Sequence, residues 1–101
     1  MNERPIPDAA RRDPNSVEIL RVWIAEQKLN CSMKIGMYDQ MGKDEPAAWG
    51  VILADVAKHV ANATHARSGD GYDEILSKVS SSFEVEMRKS TSSAKGSFRG
   101  H

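Results

Sequence analysis

Residues 44–66, DEPAAWGVILADVAKHVANATHA, are the most apolar stretch of the chain, and three readings compete for it: a membrane span, a pocket wall or a core helix. On a helical wheel Trp49, Ile52, Leu53, Val56, Val60 and Ala63 share one stripe, while Asp55, Lys58, His59 and Asn62 fall opposite. A span needs about 20 predominantly apolar residues in a row, and Asp55, Lys58 and His59 interrupt this one at mid-depth. The stripe therefore predicts a core helix. Asp44 is placed to cap its start, and Pro46 sits in the first turn, where a missing N–H costs no helix bond. Gly50, Ala54, Ala57 and Ala61 form a flank of small residues beside the stripe, where a second backbone could approach closely.

Downstream, the turn SGDG (68–71) precedes Tyr72, Ile75, Leu76, Val79, Phe83 and Met87, which recur with helical period. A second amphipathic helix is expected from Tyr72 to about Arg88, with Asp73 and Glu74 favourably placed at its positive end.

Upstream, LNCSMKIGM (29–37) alternates apolar and polar residues, the pattern of a strand with one buried face. VEILRVWIA (17–25) is rich in β-branched and aromatic residues and also reads as a strand. The connection EQK lacks the Asn-Gly or Asp-Gly that favours a tight type I′ turn, but parity still fixes the facing for any even-length loop, for example with Ala25 opposite Asn30. Leu20, Val22 and Ile24 then share a face with Cys31, Met33 and Ile35, and a slip by one residue would put Asn30, Ser32 and Lys34 there instead. That apolar face is expected to pack on the two helices. The other face carries Val17, Ile19, Arg21 and Trp23 beside Ser32, Lys34 and Gly36, with Arg21 and Lys34 directly across from each other. Opposed like charges destabilise a sheet unless an anion approaches. Ile19, Arg21, Trp23 and Lys34 are therefore the candidate contacts for a ligand or a partner.

The predicted fold class is α+β: an antiparallel β-hairpin packed against two amphipathic helices in the order β-β-α-α. A single domain spans 17–89. Pro5, Pro7 and Pro14 make residues 1–16 an extended N-terminal arm, and STSSAKGSFRGH (90–101) has little to bury and reads as a flexible, disordered tail.

Composition narrows the function. Over the 101 residues Lys plus Arg and Asp plus Glu are both 14, so the chain lacks the positive excess that draws a protein onto nucleic acid or an anionic membrane. One cysteine cannot close an internal disulfide, which fits a reducing compartment. The start, MNERPIPDAARRDPNS, has no apolar signal region, so a cytoplasmic protein is expected.

Three segments carry a resemblance: IPDAARRDPNSVEILRVWIAEQKL, then EPAAWGVILADVAKHVANA, then SFEVE, most specifically LRVW and PAAWG. From about Ile6 to Met87 the chain resembles the small, mostly alphaproteobacterial domain-of-unknown-function family DUF5076. The resemblance implies a stand-alone bacterial domain. The family has no established activity, so no functional residues carry over from it.

The possible chemistries each meet a simpler explanation. GMYDQMGKD (36–44) has the wrong glycine spacing for a phosphate loop, and Asp44 stands where a metal-holding Ser or Thr belongs. His59 and His65 are six residues apart, about 240° around a helix, and cannot share a metal. Cys31 is expected as an inert core thiol, and Met33 and Met37 as core filling rather than soft-metal ligands alongside Met41. DGYDE (70–74) lacks calcium-loop spacing and suits a helix start. Glu84 and Glu86 are about 200° apart on a helix and form no acid–base pair. No catalytic residue, metal ligand or cofactor is expected.

The favoured reading is a non-enzymatic protein-interaction or regulatory module, a homodimer or the partner of another protein, that self-associates through its sheet. An alternative class is a binder of, or enzyme on, a small anionic ligand at Arg21, Trp23 and Lys34, where two cations could hold a carboxylate or phosphate. A nucleic-acid role would rest on Arg4, Arg11, Arg12 and the basic tail, and zero net charge argues against it.

Overall fold

The computed structural model describes residues 1–89. The elements in chain order are α1 (Asp8–Arg12), β1 (Leu20–Ala25), β2 (Lys28–Met33), α2 (Met37–Gln40), α3 (Glu45–Ser68) and α4 (Tyr72–Met87). The chain is thus α+β, an antiparallel hairpin followed by helices. The tail expected at 90–101 lies outside the described residues.

Two short helices were not legible as such. The arm contains α1, which starts directly after Pro7 and has Asp8 in its first turn and Arg11 and Arg12 in its last. A fixed proline φ just before a helix and charges that complement the helix dipole both favour it. The second, α2, opens at Gly36, whose φ of 103° is a left-handed conformation that favours glycine.

The hairpin is tighter than the register expected from its loop. Leu20 faces Met33, Val22 faces Cys31, Ile24 faces Leu29 and Ala25 faces Lys28. The turn is the two residues Glu26 and Gln27, with φ of 54° and 62°. Two consecutive positive φ angles are the type I′ geometry, whose twist matches the strands strongly enough to be adopted without glycine. The shift from the expected pairing is two residues, so the apolar and mixed faces keep their members while the partners across the strands change.

The helix termini follow the sequence signals. The Asp44 carboxylate accepts a hydrogen bond from the Ala47 N–H at 3.2 Å, Pro46 lies in the first turn, and Gly69 closes α3 at φ 80°. The helices α3 and α4 pack on each other, and the small flank provides the contact: Ala61 is fully buried and Ala57 half-buried, while Gly50 and Ala54 stay exposed. Ile75, 8% exposed, is the counterpart on α4. Ala61 and Ile75 are the buried hydrophobic residues of the described chain.

The expected helix cover over the hairpin's apolar face is not found; on the other face Ile19 shares an open groove with Ile52, Ala54 and Val56 of α3. The packed element pairs are β1 with β2, α3 with α4, and α2 with α3. Val22, Ile24, Met33 and Ile35 are all exposed, and so are Leu53, Val56, Val60 and Phe83 on the helices. The physical reason lies in α3: its alanine flank admits α4 closely, so the helices spend their contact there and leave the larger stripe open. Cys31, expected in a core, is exposed with the rest of its face. No helix among the described residues is long and apolar enough to cross a membrane.

Candidate functional site

The mixed face of the hairpin is where the N-terminal arm meets the sheet. Within it Ile19, Arg21 and Trp23 are all half-buried, whereas the apolar face is mostly open. Arg21 is held at both ends of its guanidinium: Nη1 donates to Glu3 Oε2 at 2.6 Å and Nη2 to Glu18 Oε2 at 3.0 Å. The hydrogen bond and charge of Glu18, then those of Glu3, hold the guanidinium's pKa above its ordinary value, so Arg21 is a cation at any working pH. Between arm and strand runs an open cleft of about 690 Å³, lined by Glu3, Pro5, Ile6, Val17, Arg21 and Trp23 among others.

The structure separates the two expected cations. Arg21 faces Ser32 and Trp23 faces Asn30. Lys34 lies beyond the end of β2, where its N–H donates to the Ile19 carbonyl at 3.0 Å, and it is exposed. Ile19, Arg21 and Trp23 are therefore gathered on one strand, and Lys34 is not brought opposite Arg21. The charge that the expected pairing required from outside is supplied from within, by Glu3 and Glu18. Nothing in the spacing of Glu3 pointed to Arg21, because the arm must fold back to bring them together.

A second cluster was missed in the sequence. Glu45, in the first turn of α3, accepts the Gly36 N–H at 3.0 Å, the Asp39 N–H at 2.9 Å and the Trp49 indole N–H at 2.8 Å. The Gly36 N–H above all, with the Trp49 indole and the Asp39 and Tyr38 N–H groups, lowers its pKa against an opposing desolvation. The carboxylate ties α2 to α3 and fixes the Trp49 ring. Its legible signal was only the acidic first turn.

Two histidines lie on α3. His59 lies 3.3 Å from Asp55 on the exposed side of α3, and His65 Nδ1 is 2.5 Å from the Asp70 carbonyl at the α3–α4 turn. Among the described residues no group of three or more His, Cys, Asp or Glu side chains could hold a metal ion.

The family model described as "Domain of unknown function (DUF5076)" matches residues 3–91, nearly the whole chain, and the chain belongs to that family. No curated protein matches it. Among solved structures it is similar to a protein provisionally named a pyruvate dehydrogenase from the photosynthetic bacterium Rhodopseudomonas palustrus CGA009. The identity is 24%, the TM-score 0.67, and the likeness covers 90% of this chain and 87% of the other. At that identity it shows the shared fold alone.

Proposed function

We propose that this member of the DUF5076 family is a non-enzymatic protein-interaction module that self-associates through its sheet. The observation that carries the reading is the open apolar face of the hairpin, where Val22, Ile24 and Met33 are 48%, 68% and 48% exposed and no helix among the described residues covers them. Exposed contiguous apolar patches mark interaction surfaces in many folded proteins, which supports this reading. Two strands are also marginal alone, and a second copy laid on that face would supply the missing layer.

The groups with perturbed chemistry support the non-enzymatic part, since each is engaged in holding structure. Glu45 binds backbone N–H groups of the α2 segment, and Arg21 is neutralised by Glu3 and Glu18. The anionic-ligand reading loses its motive for the same reason, because two carboxylates already occupy the guanidinium and Lys34 stands apart. The name of the structural relative adds no activity to this chain, the likeness being one of fold.

The test is sedimentation velocity of the full chain across micromolar concentrations, beside Ile24→Asp. Self-association of the wild type that weakens in Ile24→Asp supports the reading. A wild type that stays monomeric throughout, or an Ile24→Asp variant that associates as well as the wild type, overturns it.

A further inference from the structure

Beyond Trp49, which is half-buried beside α2, the stripe of α3 has a periodicity that the described residues leave largely open. Trp49, Leu53, Val56, Val60, Ala63 and Arg67 follow one another at intervals of four, three, four, three and four residues. That is the alternation of a coiled-coil seam, the pattern by which one helix meets another lying nearly along it. The helix α4 does not occupy the seam, because it sits on the alanine flank at Ala57 and Ala61. Leu53, Val56 and Val60 are left 41%, 42% and 46% exposed.

We propose that α3 is a second self-association surface, on which the same helix of another copy packs antiparallel about a two-fold axis. It rests on the reading of the protein as a self-associating module but uses a different surface from the sheet. Size and charge fix the direction. In the antiparallel arrangement Val56 faces Val60 of the second copy, Leu53 faces Ala63, and Trp49 faces Arg67, each pair occurring twice by symmetry.

The large residues thus meet small ones along the seam. Arg67 arrives over an indole whose N–H is already pinned by Glu45, so the cation meets both the ring face and a carboxylate one turn away. Within its own chain Arg67 makes no ion pair among the described residues. A parallel pair would instead oppose Arg67 to Arg67 and Trp49 to Trp49.

The extent of the seam sets its strength. The 23 residues from Glu45 to Arg67 span about 33 Å, and a strip one helix diameter wide, about 10–12 Å, covers about 350–400 Å² on each copy. Two copies then bury about 800 Å², below the range of stand-alone stable interfaces. The seam alone pairs copies weakly, and the sheet face contributes separately.

The test is thiol cross-linking in the full chain, with the native thiol removed by Cys31→Ser. Val56→Cys and Val60→Cys chains are prepared singly, mixed, and oxidised mildly, and covalent dimer is read on a non-reducing gel. The expected result is that the mixture links severalfold faster than either variant alone. No covalent dimer in the mixture overturns the seam, and either variant linking to itself as fast as the mixture overturns the antiparallel direction. Adding Ile24→Asp separates this inference from the sheet reading: cross-linking that survives it leaves the seam standing whatever becomes of the sheet, and cross-linking lost with it overturns an independent seam.

Discussion

Ile75→Ala measures how much of the fold rests on the contact between α3 and α4. Ile75 is 8% exposed and is the one large buried side chain among the described residues. The substitution removes three carbon atoms, which at about 0.8 kcal/mol each is about 2.4 kcal/mol of lost transfer free energy. The cavity left behind adds little. Leu76 and Val79 beside it are only half-buried, so they can move into the gap and water can reach it. The total then falls at the low end of the about 2–5 kcal/mol seen for such truncations, about 2–3 kcal/mol. For a domain of this size it corresponds to a drop in Tm of about 10–20 °C. The assay is urea unfolding followed by far-ultraviolet circular dichroism at two protein concentrations, so that association and folding separate. A loss below about 1 kcal/mol, the size of an ordinary substitution, would refute the view that Ile75 seats α4 on Ala61.

Gln27→Gly removes the strain of a left-handed residue at φ 62° and is expected to raise stability by about 1 kcal/mol in the same urea assay; destabilisation would mean the turn is not the two-residue type I′ form. Glu45 titrates below the ordinary carboxylate range in the folded chain, so its contribution is present at neutral pH and is lost as pH falls through that lowered pKa. Glu45→Gln should therefore lower Tm at neutral pH and flatten its fall in acid, and an unchanged Tm profile would show the clasp to be idle. Removing residues 1–7 takes away Glu3 but no buried side chain, so helix content should hold while iodide quenching of Trp23, read in a Trp49→Phe background, increases. Val56→Asp, at a position 42% exposed, should keep the helix content of the dilute monomer and weaken association at least tenfold; unfolding at all concentrations would mean that Val56 lies in the chain's own core.

The elements were legible where local chemistry decides them. Asp44, Pro46 and Gly69 mark the ends of α3 through caps and φ preferences that need no tertiary partner, and the period of Tyr72, Ile75, Leu76 and Val79 gives α4. Strand faces were legible for the same reason, since side chains alternate whatever the partner strand does. The register was not: it depends on the cost of two positive φ angles at Glu26 and Gln27 against the gain of a matched twist, and the residue types there suggest neither. At the candidate site, Ile19, Arg21 and Trp23 could be grouped from one strand's alternation. Lys34 could not be placed, because its position across from Ile19 follows from the turn. Glu3 and the Glu45 clasp were beyond reach too, as each joins segments whose meeting is a property of the folded chain.

Apolar periodicity states which side of an element must be covered and leaves open which chain covers it. On α3 the two possibilities can be told apart by residue size. The flank of Gly50, Ala54, Ala57 and Ala61 is built for close backbone approach, and α4, joined by a tight turn, takes part of it. The stripe of Leu53, Val56 and Val60 lies to one side of that flank and is left 41%, 42% and 46% exposed. One helix thus presents a small-residue edge and a heptad edge that the described residues leave partly open. If the stripe served the chain's own hairpin, Val56 and Val60 would be as buried as Ile75; they are 42% and 46% exposed. If association completes the burial of these side chains, as proposed above, Val56 and Val60 should lose solvent exposure with rising concentration while Ile75 does not.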